Sequence, residues 1–159
     1  MRTINFRGKR VDDGGWVYGD FCNYKFNGMD ETIPCIHIGN LGYIKNAFYQ
    51  VDPNTVGQFT GMIDKNGKEI YEGDIIRIDS HAWLDWKEFD GVNAKIVYDN
   101  GTFEARWKNP DAGKPYPFQN PDDEEDVEAE YVCEFIGNLP NTIEVIGSIY
   151  DNPDLLNGK

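Results

Sequence analysis

Apolar and polar positions alternate in short runs along much of the chain, and glycine, proline and asparagine break the runs. In Ile143-Glu144-Val145-Ile146-Gly147-Ser148-Ile149, the residues Ile143, Val145 and Gly147 fall on one side and Glu144, Ile146 and Ser148 on the other. A period of two is that of a half-buried strand. Ala94–Asp99 and Thr102–Trp107 flank Asn100-Gly101, and Thr60–Asp64 and Lys68–Tyr71 flank Asn66-Gly67. Asn-Gly between two strand-like runs predicts a hairpin, because both residues tolerate the positive φ of a type I′ turn.

From residue 74 onward the pattern predicts strands at 74–79, 92–99, 101–107, 131–136 and 143–149. Five short antiparallel strands joined by tight hairpins and long loops fit a small SH3-like barrel, with an open five-stranded half-sandwich as the alternative. Further strands at about 3–7, 15–21, 33–38 and 43–51 predict a smaller N-terminal β subdomain over residues 1–70, packed on a barrel domain over 71–159. The fold class is therefore mostly β. One helical turn is predicted at the end, where Asn152 can cap, Pro153 suits the first turn and Asp154 meets the positive end of the dipole before Leu155-Leu156.

Composition supports the strands. The chain holds 15 Ile, 9 Val and 22 aromatic residues against 5 Leu and 6 Ala, and β-branched and aromatic side chains suit a pleated surface better than a helix. Lys and Arg number 15 against 28 Asp and Glu, a formal net charge of −13. That balance argues against direct nucleic-acid binding, which needs a basic face, and against an anionic membrane surface. The acidity is local. Seven acids lie between Asp122 and Glu130, in Asp122-Asp123-Glu124-Glu125-Asp126-Val127-Glu128-Ala129-Glu130, after the proline-rich run from Asn109 to Pro121. Together, residues at about 109–130 read as a long solvated insertion.

The N-terminus lacks the apolar stretch of a secretory signal, and no segment approaches the ~20 apolar residues of a membrane span. Cys22, Cys35 and Cys133 are odd in number and unrelated in spacing, which reads as three thiols in a reducing cytoplasm rather than a disulfide framework.

The segment from Val51 to Asp74, Val51-Asp52-Pro53-Asn54-Thr55-Val56-Gly57-Gln58-Phe59-Thr60-Gly61-Met62-Ile63-Asp64-Lys65-Asn66-Gly67-Lys68-Glu69-Ile70-Tyr71-Glu72-Gly73-Asp74, is distinctive. With the opening Ile4–Arg10 and Trp16–Asp20, and the closing Glu144–Leu156, it resembles the signature of the YopX family of proteins encoded by bacteriophages and prophages. The resemblance spans nearly the whole chain; residues 79–91 and 109–130 fall outside it. It implies a phage or prophage origin and a mostly β fold with an SH3-like barrel on the C-terminal side. Joined to the reducing compartment read from the thiols, it makes the cytoplasm of the bacterial host the expected location. It implies no reaction and supplies no catalytic residues.

Gln58, Asp64, Lys68, Glu72 and Asp74 are polar and closely spaced within that segment, but turn chemistry accounts for the same residues. Gly57, Gly61, Gly67 and Gly73 set turns or bulges, and Phe59, Ile63, Ile70 and Tyr71 supply core. A calcium loop counted from Asp64 fails, because its sixth position is Glu69 and its twelfth Ile75. Cys22, Cys35, His37 and His81 lack the paired spacing of a zinc site, so neither a metal nor a cofactor is expected. Cys133 sits between Glu130 and Glu134, the wrong electrostatics for a nucleophilic thiolate. No phosphate-binding, nucleophile-elbow or zinc-protease motif is present, and no enzyme activity is expected. Ile38-Gly39-Asn40-Leu41 recurs as Ile136-Gly137-Asn138-Leu139, two similar strand exits.

Two segments remain as binding candidates. Trp83, Trp86 and Phe89 recur at threes between the first two barrel strands, and one helical turn would gather them on a common face. They either cover a barrel end or anchor a partner. Asp122, Asp123, Glu124, Glu125 and Asp126 offer the second candidate. The expected function is a non-enzymatic protein-binding module with a host or phage protein as partner. The alternative is an acidic nucleic-acid mimic that inhibits a host DNA-binding protein. Edge strands of the N-terminal subdomain offer a route to a homo-oligomer.

Overall fold

The computed structural model of the protein describes residues 4–28, 30–39, 47–78, 91–108, 130–133 and 142–157. These form eleven strands: β1 (Phe6–Lys9), β2 (Trp16–Tyr24), β3 (Ile33–Ile38), β4 (Ala47–Gln50), β5 (Gly57–Ile63), β6 (Glu69–Tyr71), β7 (Asp74–Ile78), β8 (Val92–Asp99), β9 (Thr102–Lys108), β10 (Glu130–Cys133) and β11 (Ile143–Ser148). Two single 3₁₀ turns, Pro53–Thr55 and Pro153–Leu156, complete the elements. The mostly β fold class holds. The strands assemble into two antiparallel sheets, one ordered β4-β3-β2-β1-β5-β6 and the other β10-β9-β8-β7-β11.

The first sheet curls. Arg10 and Val51 form an isolated antiparallel bridge, so the outer strand β4 ends beside the end of β1. The amides of Val11 and Asp52 donate to the carbonyls of Gln50 and Lys9 at 3.1 and 2.9 Å and close the gap. The curl encloses Val17, Ile36 and Val51, against which Phe6, Ile38, Tyr49 and Val56 pack. Gly8 leaves room for Val51, whose Cβ lies 3.0 Å from the place a Gly8 Cβ would take.

The second sheet carries the larger core: Ile76, Ile78, Ala94, Ile96, Ala105, Trp107, Ile143 and Val145 are buried together with Ile70 of β6. The five strands expected of a barrel are present, β8 at its expected bounds and the others within three residues of theirs. Among the described residues β10 pairs only with β9, and β11 only with β7, so the sheet is open and barrel closure is not seen.

Local details follow the sequence unevenly. Asn100 (φ 48°) and Gly101 (φ 85°) both take positive φ, as the predicted type I′ turn requires. At Asn66-Gly67 only Gly67 does so, with φ 82°. A wider loop forms there, because Asp64 gathers the turn amides on its carboxylate. Ile70 and Tyr71 are buried as expected, Phe59 is half-buried, and Ile63 stands 51% exposed. Thr60 is buried and Met62 packs on the core, so Ile63 falls on the other, outer side with Phe59; the register shift between Phe59 and Ile63 adds two residues on β5 and keeps that alternation. A second shift between Val145 and Gly147 breaks the alternation expected along β11, so that Ser148 is buried. The terminal turn forms at Pro153–Leu156, but Asn152 makes no side-chain cap bond; the Asn93 amide instead donates to the Leu155 carbonyl at 2.8 Å.

Candidate functional site

Residues from the opening, central and closing segments of the chain converge where the two sheets meet. Only Glu72 and Gly73 separate β6, the last strand of the first sheet, from β7, the first of the second. Gly73 makes this passage with φ 79°, and a Cβ there would lie 2.8 Å from the Tyr150 ring. Across the passage Arg7 of β1, 5% exposed, meets Asp74 of β7, 1% exposed. Arg7 Nη1 donates to Asp74 Oδ1 at 2.5 Å, and Nη2 to the Glu72 carbonyl at 3.1 Å. Asp74 Oδ2 accepts the Tyr71 amide at 2.7 Å. The guanidinium lies 4.5 Å from the Trp16 ring centroid and 5.2 Å from that of Tyr71, within cation–π range of both. Burial pushes the Asp74 carboxyl up, against the pull of Arg7 and the Tyr71 amide. Burial and the bond to Glu69 push the Tyr71 phenol up likewise.

Asp151 forms a second junction. Its Oδ1 accepts from Lys9 Nζ at 2.5 Å, and its Oδ2 from Trp16 Nε1 and Ser148 Oγ, each at 2.8 Å. The Lys9 bond holds the Asp151 carboxyl below the usual range despite partial burial. Asp64 forms the third: Oδ1 accepts the amides of Asn66 and Lys68 at 2.8 and 2.9 Å, and Oδ2 the Val145 amide of β11 at 3.0 Å. Burial pushes the Asp64 carboxyl up, but the three amide bonds outweigh it and hold the group below the usual range. Asp64 and Asp74, two of the polar residues singled out in the central segment, are thus committed to joining the sheets.

Beside this seam lies an open hollow of about 290 Å³ lined by Arg7, Tyr18, Lys68, Glu69 and Tyr71. The Tyr71 hydroxyl donates to Glu69 at 2.6 Å and accepts from Asn5 at 3.1 Å. Farther along the same side of the sheet runs a row of aromatic rings. Tyr24 stacks on Phe48 at 4.1 Å, Phe48 on His37 at 4.7 Å, and Phe26 meets Tyr24 edge-on at 4.6 Å. Tyr18 packs edge-on against Tyr71 and remains 47% exposed. The signal for this row was the even-numbered set Trp16, Tyr18 and Tyr24, which strand alternation places on one face. The partners His37 and Phe48 came only from the register of β3 and β4.

Trp83, Trp86, Phe89, Asp122, Asp123, Glu124, Glu125 and Asp126 lie outside the described residues, as does His81. Cys22 and Cys35 face each other across β2 and β3, and His37 lies 3.7 Å from Asp20. Among the described residues no cluster of His, Cys, Asp or Glu is placed to hold a metal ion, and no helix is long and apolar enough to cross a membrane.

These features define a two-sheet antiparallel β protein whose sheets are tied by a buried ion pair and by carboxylate-to-amide bonds. The chain belongs to the YopX protein family, whose sequence profile matches residues 5–157. It is similar to a solved structure, the crystal structure of protein EF1440 from Enterococcus faecalis, at 20% identity over 98% of this chain and 99% of that one, with a TM-score of 0.48. No curated protein matches it.

Proposed function

We propose that the chain is a phage- or prophage-encoded accessory protein that works without catalysis, as a protein-binding module in the cytoplasm of a bacterial host. The observation that carries this reading is the aromatic face on the first sheet, running from Tyr18 through His37 and Phe48 to Tyr24. Rigid aromatic rings supply contact area at low entropic cost and dominate binding hot spots. By contrast, the seam carboxylates of Asp64 and Asp74 spend their hydrogen bonds on Arg7 and on backbone amides. A chain of net charge −13 suits a partner with a basic surface around an apolar pocket. Trp83, Trp86 and Phe89 are further candidate anchors in the same reading.

The acid run offers a second reading, a nucleic-acid mimic directed at a host DNA-binding protein, because seven acids between Asp122 and Glu130 concentrate charge in one segment. Affinity capture from host lysate separates the two, with wild type compared with Tyr18→Ala/Phe48→Ala, Trp83→Ala/Trp86→Ala and a variant amidated at Asp122, Asp123, Glu124, Glu125 and Asp126. A protein retained by wild type and lost with either aromatic pair supports the binding module. Loss only on amidation, with capture falling steeply as salt rises, supports the mimic. Capture unchanged in all three variants refutes both.

A further inference from the structure

Cys22 of β2 and Cys35 of β3 are directly opposite in an antiparallel pair, so their side chains leave the sheet on one face. The Pro34 carbonyl accepts the Val51 amide on the β4 side of β3. The next residue, Cys35, therefore turns its own N–H and C=O toward β2, which makes Cys22–Cys35 a hydrogen-bonded pair. Such pairs hold their Cα atoms about 5.5 Å apart, inside the range of disulfides. Cross-strand Cβ atoms stand about 4.5–5.5 Å apart, hydrogen-bonded pairs at the wide end, so the Cβ separation of about 3.8 Å in a disulfide needs a closing of about 1.5 Å. Both cysteines are reduced in the structure.

The two sulfurs are not equivalent. Cys22 is half-buried, whereas Cys35 has no exposed surface. The register explains the difference. Tyr24 lies opposite Ile33 and Phe48 opposite His37, on either side of the row that contains Cys22 and Cys35. Their rings stack at 4.1 Å above that row and roof Cys35.

We propose that Cys22 and Cys35 form a redox site, a cross-strand dithiol that closes to a disulfide by exchange with a small-molecule disulfide of the glutathione type. Cys22 is the entry sulfur: its thiolate attacks one sulfur of the reagent, forming a mixed disulfide and releasing one reagent thiolate. Cys35 is the resolving sulfur: its thiolate attacks the Cys22 sulfur, forming the Cys22–Cys35 bond and releasing the second reagent thiolate. One reagent disulfide is reduced to two thiols while two protein thiols lose their protons and become one disulfide. Burial and Asp20 push the Cys22 thiol up, and burial with Cys22 does the same for Cys35. Exchange is accordingly slow at neutral pH and quickens about tenfold per pH unit, as the thiolate fraction does. Closure also anchors β2 to β3 beneath the Tyr24–Phe48 stack, which makes the aromatic face responsive to oxidation.

The test equilibrates the folded chain with mixtures of reduced and oxidised glutathione, traps free thiols by alkylation, and reads intact mass and peptide linkage. In wild type and in Cys133→Ser, the expected product has lost the mass of two hydrogens and joins the peptides of Cys22 and Cys35. Cys35→Ala stops at a glutathione adduct on Cys22. Cys22→Ala leaves Cys35 at least tenfold slower to react than Cys22 is in Cys35→Ala, and adding Phe48→Ala removes most of that difference. Linkage of Cys133 to either cysteine, arrest of wild type at the mixed disulfide, or equal reactivity of the two single variants overturns the proposal. The wild-type linkage needs no substitution, so a variant that fails to fold does not remove the test.

Discussion

Replacing Asp74 with Asn removes one charge from the most deeply buried ion pair of the seam while keeping the side chain's shape. Arg7 is 5% exposed and Asp74 1% exposed, so water cannot replace the lost partner. The two Asp74 oxygens accept from Arg7 Nη1 at 2.5 Å and from the Tyr71 amide at 2.7 Å. An asparagine has one acceptor oxygen, so one of those donors then faces an NH₂ group. Arg7 keeps its charge, its bond to the Glu72 carbonyl and its two aromatic neighbours, and none of these neutralises it. Breaking a buried pair in this way costs about 3–5 kcal/mol, a large share of the ~5–15 kcal/mol that stabilises a typical domain. With a urea dependence of about 2 kcal/mol per molar, the unfolding midpoint falls by about 2 M. The double variant Arg7→Met/Asp74→Asn discards both charges, and its loss is smaller than the sum of the two single losses by about 2 kcal/mol or more. Urea unfolding followed by far-ultraviolet circular dichroism measures all four proteins. A midpoint for Asp74→Asn within about 0.5 M of wild type at unchanged slope, or strictly additive losses, would refute the reasoning.

Asp64→Asn tests the second tie between the sheets through its pH dependence. The folded Asp64 carboxyl lies below its unfolded value of about 3.9, so its bonds contribute fully above that value and are lost as pH falls through the lower folded value. Wild type is therefore the more stable at pH 7, and the two unfolding midpoints converge toward pH 2; a constant gap across that range contradicts the assignment. At Gly57 a Cβ would stand 2.4 Å from the Glu72 carbonyl oxygen, whereas at Gly61 (φ 89°) it would meet nothing within 4 Å. Gly57→Ala must part β5 from residue 72 and costs about 2–3 kcal/mol, against about 1–2 kcal/mol of backbone strain for Gly61→Ala. Thermal unfolding of both variants checks that order, and Gly61→Ala proving the more damaging would contradict it.

Strand alternation and turn residues made most of the secondary structure legible from sequence. The pairing of Asn100 with Gly101 set a hairpin because both residues tolerate positive φ, and Ile70 and Tyr71 were found buried as their pattern required. Register shifts were not legible. An added residue in a ladder reverses the alternation beyond it, which is how Ser148 came to face the interior. The seam was hidden for another reason. Arg7, Asp74 and Asp151 are far apart in sequence and carry charges that composition assigns to the surface, so only the topology reveals that they meet. Asp64 was even set in the frame of a failed calcium loop, although what its carboxylate binds is three backbone amides. The cysteines were likewise read as unrelated because their separation along the chain says nothing about a cross-strand register.

The placement of these groups also explains why the most distinctive segment of the chain gives so little away about function. Tyr71, Gly73 and Asp74 stand where one sheet passes into the other in two residues, and Asp64 ties the turn before β6 to β11. A passage that short cannot bury its polar backbone without help: the Gly73 amide donates to Ile96 of β8, and its carbonyl accepts from Ile149 beyond β11. Arg7 takes the Glu72 carbonyl, and Asp74 takes the Tyr71 amide. Arg7 and Asp74 thus answer a demand created by the chain's own crossing between sheets. The carboxylates of Asp64 and Asp74 are spent on that constraint, so the proposed binding rests on surfaces that the crossing leaves alone. On the first sheet that surface is the side of β2, β3 and β4 holding Tyr18, Tyr24, His37 and Phe48, where the two cysteines also lie.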